Sequence, residues 1–464
     1  MSLKKLQFFI FCFTLYIWNV QLSHATNDPW YIEHNFEPQT RIKITLTNIL
    51  DFDRVECPVI IPHKQMPIKK LHEMWVTIVD PTLPPDPEPT KELLRKQGGH
   101  LHRKESNGHQ IFRQLDDLDK DGIWDEIFFM TDIKAHEQKT MYIYIGFSER
   151  GWNEHGTHAA IGSYCRHLIP FWESRHVGWK LWYPNCVDVY GKRKSMLMST
   201  NLYMLNLNGY GLPYDQGSDI MTVSNTFGGG ALCLFEEPSF PDSVSRPRYT
   251  PVKIAQSSSN NFNSDPLSDT RYAYDVVVNG PLRSMIRVKT MNWHTGAGFY
   301  EFEQFYTAYR NQNYSTCKVK YSKFFPEKNG VMFGCGIRKN GREFDFYQQD
   351  GIVITIGDED IEDPDDDTGL NVFHVDYVGT VLIVKNKYEP EYQFLTAQQG
   401  NHTFRIPLTD DLSYEYLIAA AWSEGEIFKK PEEFKEYIIK TATEYNNPVK
   451  VRIDGVEKKR MTSY

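Results

Sequence analysis

Apolar and polar positions alternate with a period of two along much of this chain. Arg41-Ile42-Lys43-Ile44-Thr45-Leu46-Thr47 alternates strictly, the pattern of a strand with one buried face and one wet face. Met285-Ile286-Arg287-Val288-Lys289 and Cys317-Lys318-Val319-Lys320-Tyr321 repeat it. Val59 to Ile61, Trp75 to Val79, Ile127 to Phe129 and Met141 to Ile145 are further short strand candidates, and Ile352 to Ile356 and Val381 to Val384 read as strands buried on both faces. One helical period stands out. Phe434, Tyr437, Ile438 and Tyr445 recur at i, i+3, i+4 and i+11 behind Pro431, and Asn446-Asn447-Pro448 ends the run. Val449 to Ile453 is then a last strand.

Many strands and one late helix predict a mainly β protein. The first residues stand apart. Lys4 and Lys5 precede an apolar run from Leu6 to Leu22 and then Ser23-His24-Ala25, the layout of a secretory signal peptide cleaved after Ala25. An uncleaved anchor is the alternative; no later segment is long and apolar enough to span a bilayer. The expected organisation is a signal peptide at 1–25, an N-terminal β-sandwich domain at 26–148 and a large antiparallel sandwich domain at 149–464. Pro81 to His109, rich in Pro, Gly, His and charge, reads as a long exposed loop with a short helix near Lys91 to Lys96. Residues 149–270 show few clean periods and read as site-forming loops and irregular strands.

Composition narrows the function. Of 464 residues, 14% are aromatic, and the formal net charge is −9, so a nucleic-acid coat is excluded as the main role. Asp358 to Asp367 contains eight acids; the acidity is local, reads as a solvated loop, and leaves room for an anionic substrate elsewhere. Beyond the leader lie Cys57, Cys165, Cys186, Cys233, Cys317 and Cys335 without CxxC or Cys/His zinc spacing; export permits disulfides, with the pairing open. GxSxG, HExxH and P-loop motifs are absent from the sequence, and Gly228-Gly229-Gly230 reads as a tight strand approach.

Three constellations carry chemistry. In Asp117-Leu118-Asp119-Lys120-Asp121-Gly122-Ile123-Trp124-Asp125-Glu126, alternate carboxylates before a glycine turn suit a structural calcium ion, with Asp117, Asp119, Asp121 and Asp125 as ligands. Phe128 stands where an EF-hand needs its bidentate Glu, and a turn closed by side-chain hydrogen bonds is the competing reading. From Arg166 to Lys194, six Lys or Arg face two acids among Phe171, Trp172, Trp179, Trp182, Tyr183 and Tyr190. Rings stack on sugar faces while cations pair with carboxylate or sulfate. His155 and His158 precede this island without the helix that a metal pair at that spacing needs. The third group is Tyr210 to Asp219, Arg246-Pro247-Arg248-Tyr249 and Asn292-Trp293-His294; Tyr and His are usual bases for a carbon-bound proton beside a carboxylate.

At these residues the chain resembles a family of exported bacterial proteins, long filed as a domain of unknown function, that accompany polysaccharide-degrading enzymes. The matching pieces are Asn48-Ile49-Leu50-Asp51-Phe52-Asp53-Arg54, the Asp117 to Glu126 run, Gly217-Ser218-Asp219-Ile220-Met221 with Gly228-Gly229-Gly230, and Asn279-Gly280-Pro281-Leu282-Arg283 followed by Trp293. The second half also resembles the supersandwich of galactose-mutarotase relatives and several polysaccharide lyases. The resemblance runs toward members that dehydrate ulvan oligosaccharides in marine bacteria. It implies loss of water from a non-reducing-end glucuronate or iduronate linked to sulfated rhamnose, leaving a 4,5-unsaturated uronate, in a periplasmic or secreted protein. The chain departs from the family pattern near Tyr214-Asp215, where a His is expected.

The chemistry can be stated from the residues. The C5 hydrogen of a uronate becomes removable once the carboxylate charge is neutralised; a base then takes H5 and an acid protonates the departing 4-hydroxyl. Residue type and clustering assign the carboxylate to Arg248, with Arg166 second, the base to Tyr214 or His294 and the acid to His158 or Tyr249. Lys180 and Arg193 would hold sulfate, with Trp179 and Trp182 stacking. The partner is an anionic oligosaccharide. A polysaccharide lyase, a non-catalytic carbohydrate-binding protein and a glycoside hydrolase using carboxylates such as Glu173 and Asp219 are the competing classes.

Overall fold

The computed structural model describes residues 29–33, 36–84, 91–92, 105–106, 108–148, 153–164, 167–182, 186–203, 215–221, 223, 226–237, 243–247, 269–362, 372–396 and 400–459. The expected leader, most of the 81–109 loop, Cys165, Arg166, Tyr214, Arg248 and Tyr249 lie outside them.

Two sheets make the N-terminal sandwich. One has the order Lys450–Lys458, Thr40–Thr47, Gln138–Ile145, Val76–Asp80, His109–Ile111; the other is Arg54–Pro62, Glu126–Ile133, Arg113–Asp116. The alternation in Thr40–Thr47 does its expected work: Ile42, Ile44 and Leu46 are fully buried and pack with Val59, Ile61, Ile127, Phe129, Met141 and Ile143. The other face is not wet throughout. Arg41 is buried there, its Nε 2.6 Å from Glu457 and its guanidinium 3.8 Å from the Tyr142 ring centre. Glu457 belongs to the last strand, which leaves the second half of the chain and pairs from Lys458 opposite Thr40 to Lys450 opposite Thr47. The boundary expected at 148/149 therefore does not hold for this strand.

The larger body is an eight-stranded antiparallel sheet with the order Arg271–Asn279, Arg283–His294, Gly298–Tyr309, Tyr314–Pro326, Ser413–Trp422, Val372–Val384, Ile352–Glu362, Arg342–Gln349. Two smaller sheets share a hydrophobic core with it. One, called the front sheet below, runs Thr157–Tyr164, His167–Ser174, Val177–Trp182, Cys186–Lys192, Gly217–Asp219; the other runs Ala231–Phe235, Met332–Arg338, Asn401–Ile406, Glu391–Leu395. Helix Pro431–Asn446 covers part of the large sheet with Phe434, Ile438 and Ala442. The mainly β fold with a C-terminal helix is as the periodicity predicts, and the large antiparallel body is as the resemblance to a supersandwich implies. A five-residue helix, Ser199–Tyr203, is added.

Three expectations are corrected here. The region from 157 to 192 is not loop and irregular strand but four paired strands of the front sheet. The acidic run begins inside a strand: Asp358 and Asp360 pair with Arg342, and Glu359 with Arg338. Finally, Cys57, Cys186, Cys233, Cys317 and Cys335 are buried free thiols, so no disulfide forms among the described cysteines. The glycine run behaves as read: a Cβ on Gly228, at φ +60°, would meet the Val187 carbonyl oxygen at 2.1 Å.

The two bodies are joined through Arg283. Its guanidinium is buried, with Nη2 2.6 Å from Asp116 and 2.5 Å from Glu126 of the N-terminal sandwich and the Phe128 ring centre 4.4 Å away. The Gln114 amide oxygen accepts from the Leu282 and Arg283 amides at 2.6 and 2.7 Å.

Candidate functional site

The front sheet has two unlike faces. One carries Trp172, Val177, Trp179, Leu181, Val187 and Val189 into the core against the large sheet, where Trp172 stacks on Tyr306 at 4.5 Å. The opposite face is polar. Register places His158 beside Glu173, Glu173 beside Gly178, Gly178 beside Tyr190 and Tyr190 beside Asp219. Because side chains alternate along a strand, these residues share a face with Phe171, Lys180, Asp188 and Lys192. Its charged members are nonetheless covered: Glu173, Lys180, Asp188 and Lys192 are each at most 3% exposed.

Burial of charge requires pairing, and the pairing is visible. Lys192 reaches from its strand over Gly178 to Glu173, two strands away, and its ammonium also donates to the Ser174 and Met196 carbonyls at 2.6 and 2.9 Å. A Cβ on Gly178 would already lie 3.9 Å from the Lys192 Cε, so a long side chain there would block the crossing. Glu173 accepts from the Met198 and Ser199 amides, both at 2.9 Å, and from the Ser199 hydroxyl. Burial by itself pushes the Glu173 carboxyl up; the Lys192 ammonium, with nearby His158 and the Ser199 hydroxyl, holds it down to about 2. Burial draws the Lys192 ammonium down while Glu173 draws it up. Burial and Lys192 together also bring nearby His176 down to about 4, which keeps that ring neutral.

This pair sets a pH dependence. The folded Glu173 pKa lies below its ordinary value of 4.5, so the unfolded chain binds the extra proton and the stabilisation is present above about pH 4.5. It fades as pH falls towards about 2. The gap in urea stability between wild type and Glu173→Gln is therefore expected to be widest near neutrality and to narrow across that acid window. A gap independent of pH would show that the carboxylate is not held in this way.

His158 stands at the rim of the covered face, with 23% of its side chain exposed. Its Nδ1 is 2.7 Å from the Ser199 hydroxyl and 3.7 Å from Glu173, and its ring lies 6.1 Å from Phe171. A ring pinned through Nδ1 has a fixed orientation and presents Nε2 for proton transfer. Further along the face, the Lys180 ammonium is 2.9 Å from Asp188, donates to the Tyr190 hydroxyl at 2.7 Å and lies 4.9 Å from the Trp182 and Tyr190 ring centres.

The structure separates several residues that the sequence groups together. Thr157 bonds to Ser284 at 2.9 Å, and His294 is ten residues further along the Ser284 strand, about 30 Å away at strand rise. His294 is exposed, 4.6 Å from Phe299, and is not part of the His158 neighbourhood. Trp179 is 1% exposed in the core and cannot offer a face to a sugar. Trp182 is likewise buried, with the Lys180 ammonium over its ring. Lys180 is neutralised by Asp188, so it is not a free sulfate ligand. Arg193 lies 4.9 Å over Trp422 and 3.5 Å from Glu424. Asp188, Tyr190, Lys192 and Ser199 are residues to which the sequence reading assigns no catalytic role, and Glu173 enters it only as a glycoside hydrolase carboxylate. Alternation through Val187-Asp188-Val189-Tyr190 and Trp179-Lys180-Leu181 is the signal that places Lys180, Asp188 and Tyr190 on one face; Ser199 has no such signal.

The acidic loop is a separate feature. Carboxylate oxygens of Asp117, Asp119 and Asp125 converge within 4.8 Å of one another. Asp121 is not among them and accepts from the Ile123 amide at 2.8 Å. The loop also closes on itself: Asp117 accepts from the Lys120 and Gly122 amides and Asp125 from the Leu118 amide, with Lys120 and Gly122 in the left-handed region.

Residues 46–451 match the sequence profile of the family described as Domain of unknown function (DUF4861). No curated protein matches the chain. Among solved structures, a protein in the glycosyl hydrolase family 38 from Enterococcus faecalis is similar at 8% identity, with 91% of this chain and 48% of that chain covered and a TM-score of 0.45. An alpha-mannosidase from Enterococcus faecalis V583 is similar at 9% identity, with 90% and 46% covered and a TM-score of 0.42. The chain spans about half the length of these two structures.

Proposed function

The chain belongs to the DUF4861 family, a domain of unknown function, and we propose that it is an exported carbon–oxygen lyase that removes water from the uronate end of an anionic oligosaccharide. The substrate class is a glucuronate or iduronate linked to sulfated rhamnose, as in ulvan fragments, and the product is a 4,5-unsaturated uronate. The reading rests on one observation: His158 is pinned through Nδ1 by Ser199 and Glu173 at the open rim of a covered polar face.

In this reading the C5–H bond breaks, its proton passes to a base and its electron pair forms the C4=C5 double bond. The C4–O bond breaks at the same time, and the departing oxygen takes a proton and leaves as water. His158 is the acid at the 4-hydroxyl. The base is Tyr214, since Tyr190 is buried against Lys180. Neutralising the uronate carboxylate falls to Arg248 or Arg166, since Lys180 and Lys192 are already matched by Asp188 and Glu173.

Incubation with glucuronate-ended, sulfated rhamnose oligosaccharides tests the proposal. The expected result is a rise in ultraviolet absorbance from the conjugated carboxylate and a mass loss of one water, with chain length unchanged. Shortened unsaturated products would replace it by a polysaccharide lyase. Retention of the sugar without any absorbance change would replace it by a carbohydrate-binding protein.

We also propose a structural calcium ion held by Asp117, Asp119 and Asp125, with no part in the chemistry. These are hard oxygen donors of the type calcium takes. Calcium is expected to raise the thermal midpoint of the chelator-treated protein, as any ligand of the folded state does, and Asp119→Asn to abolish the rise. Equal midpoints with and without calcium would leave the loop closed by its own hydrogen bonds alone.

A further inference from the structure

The N-terminal sandwich exposes two large rings side by side. Trp75 is 49% exposed and Phe147 48%, and their ring centres are 6.4 Å apart with planes at 62°. Single exposed apolar residues are ordinary, but paired exposed aromatics are not explained by packing. The backbone fixes the pair: Gly146 donates its amide to the Trp75 carbonyl at 2.9 Å, so the chain segments carrying both rings are locked together at the entry to Val76–Asp80 and the exit of Gln138–Ile145.

A cleft of about 150 Å³ lies close by along the chain, lined by residues that include Thr77, Gln110, Phe112, Arg113, Ser148 and Asn153 but neither ring. Thr77 follows Trp75 by two residues, and Ser148 follows Phe147. The lining is rich in hydroxyl and amide groups: the Gln110 amide bonds to the Ser148 hydroxyl at 3.1 Å. Among the described residues the lining has no carboxylate, and the Arg113 guanidinium is committed in part to the Val76 carbonyl.

We propose that Trp75, Phe147 and this cleft form a saccharide-binding subsite on the N-terminal sandwich, separate from the face that carries His158. Two tilted rings offer a cradle for the apolar face of a pyranose, and neighbouring amides and hydroxyls match its equatorial hydroxyls in both donor and acceptor roles. The subsite holds a remote sugar of a longer glycan while the end unit is processed elsewhere, so it deepens the carbohydrate reading but not the elimination chemistry.

The test is titration calorimetry of the full chain with two probes: the uronate-ended oligosaccharide of the proposed reaction and uncharged xylohexaose. Binding of either or both to wild type, weakened about tenfold or more in Trp75→Ala and Phe147→Ala, supports the subsite. Turnover of the shortest uronate substrate is expected to be unchanged in these variants, and their midpoints of thermal unfolding to stay near wild type because both rings are half exposed. Saccharide binding equal in wild type and both variants overturns the proposal, as does the absence of binding by either probe. A loss of self-association in Trp75→Ala, read by sedimentation, with no change in sugar binding, overturns it in favour of a protein interface. Loss of ring-dependent binding and loss of elimination are read separately, because xylohexaose carries no uronate.

Discussion

His158→Gln is expected to lower the rate of elimination by about 10²–10⁴-fold, the range for removing a positioned proton-transfer group. Glutamine retains a polar group near Ser199 but cannot donate and regain a proton at the leaving oxygen. The fold should survive, because the ring is partly exposed and Ser199 and Glu173 remain bonded to each other without it. Substrate affinity should change little, so the loss appears in kcat. Ser199→Ala gives the companion result: it frees the ring while leaving the imidazole in place, and a smaller fall in kcat with a shifted pH profile is expected. Wild-type turnover by His158→Gln would remove this residue from the mechanism.

Arg283→Ala is expected to destabilise the protein by about 3–5 kcal/mol, the cost of leaving buried partners of a charge uncompensated. Asp116 and Glu126 both converge on this guanidinium. Without it, two acids would share a covered site between the sandwich and the large sheet. Urea unfolding reads the loss. Arg283→Met combined with Asp116→Leu and Glu126→Leu is expected to recover much of it, because a buried ion cluster and an apolar replacement can be nearly equal in stability. A loss under 1 kcal/mol for Arg283→Ala would show that the joint is wet and screened.

The strands that could be read from the chain are those whose two faces differ in polarity and neighbour a recognisable turn, such as Thr40–Thr47 and Tyr314–Pro326. Helix Pro431–Asn446 was legible for a similar reason: its apolar stripe and its proline start agree. The front sheet was harder. Asp188, Tyr190 and Lys192 alternate with Val187 and Val189, yet six cations among many rings suggest an open, positive surface. Pairing cancels that charge locally. Glu173 meets Lys192 across an intervening strand, and only register across three strands reveals it. The same blindness to register grouped His294 with His158, since nothing in a linear reading says that His294 ends a twelve-residue strand whose start lies beside Thr157. The buried indole of Trp179 shows the converse: residue type favours sugar stacking there, and position on the inward face forbids it.

The return of Lys450–Lys458 to Thr40–Thr47 has a consequence for biogenesis. One flank of an early strand is completed by a strand that follows the whole of the larger body in the chain. During translation that flank displays unsatisfied amides and carbonyls, a template for wrong partners. Closure over so long a separation also places this step among the slow ones. The sandwich thus stays open along one margin until residues 450–458 arrive, and a chain truncated shortly before residue 450 should be the species that chaperones retain.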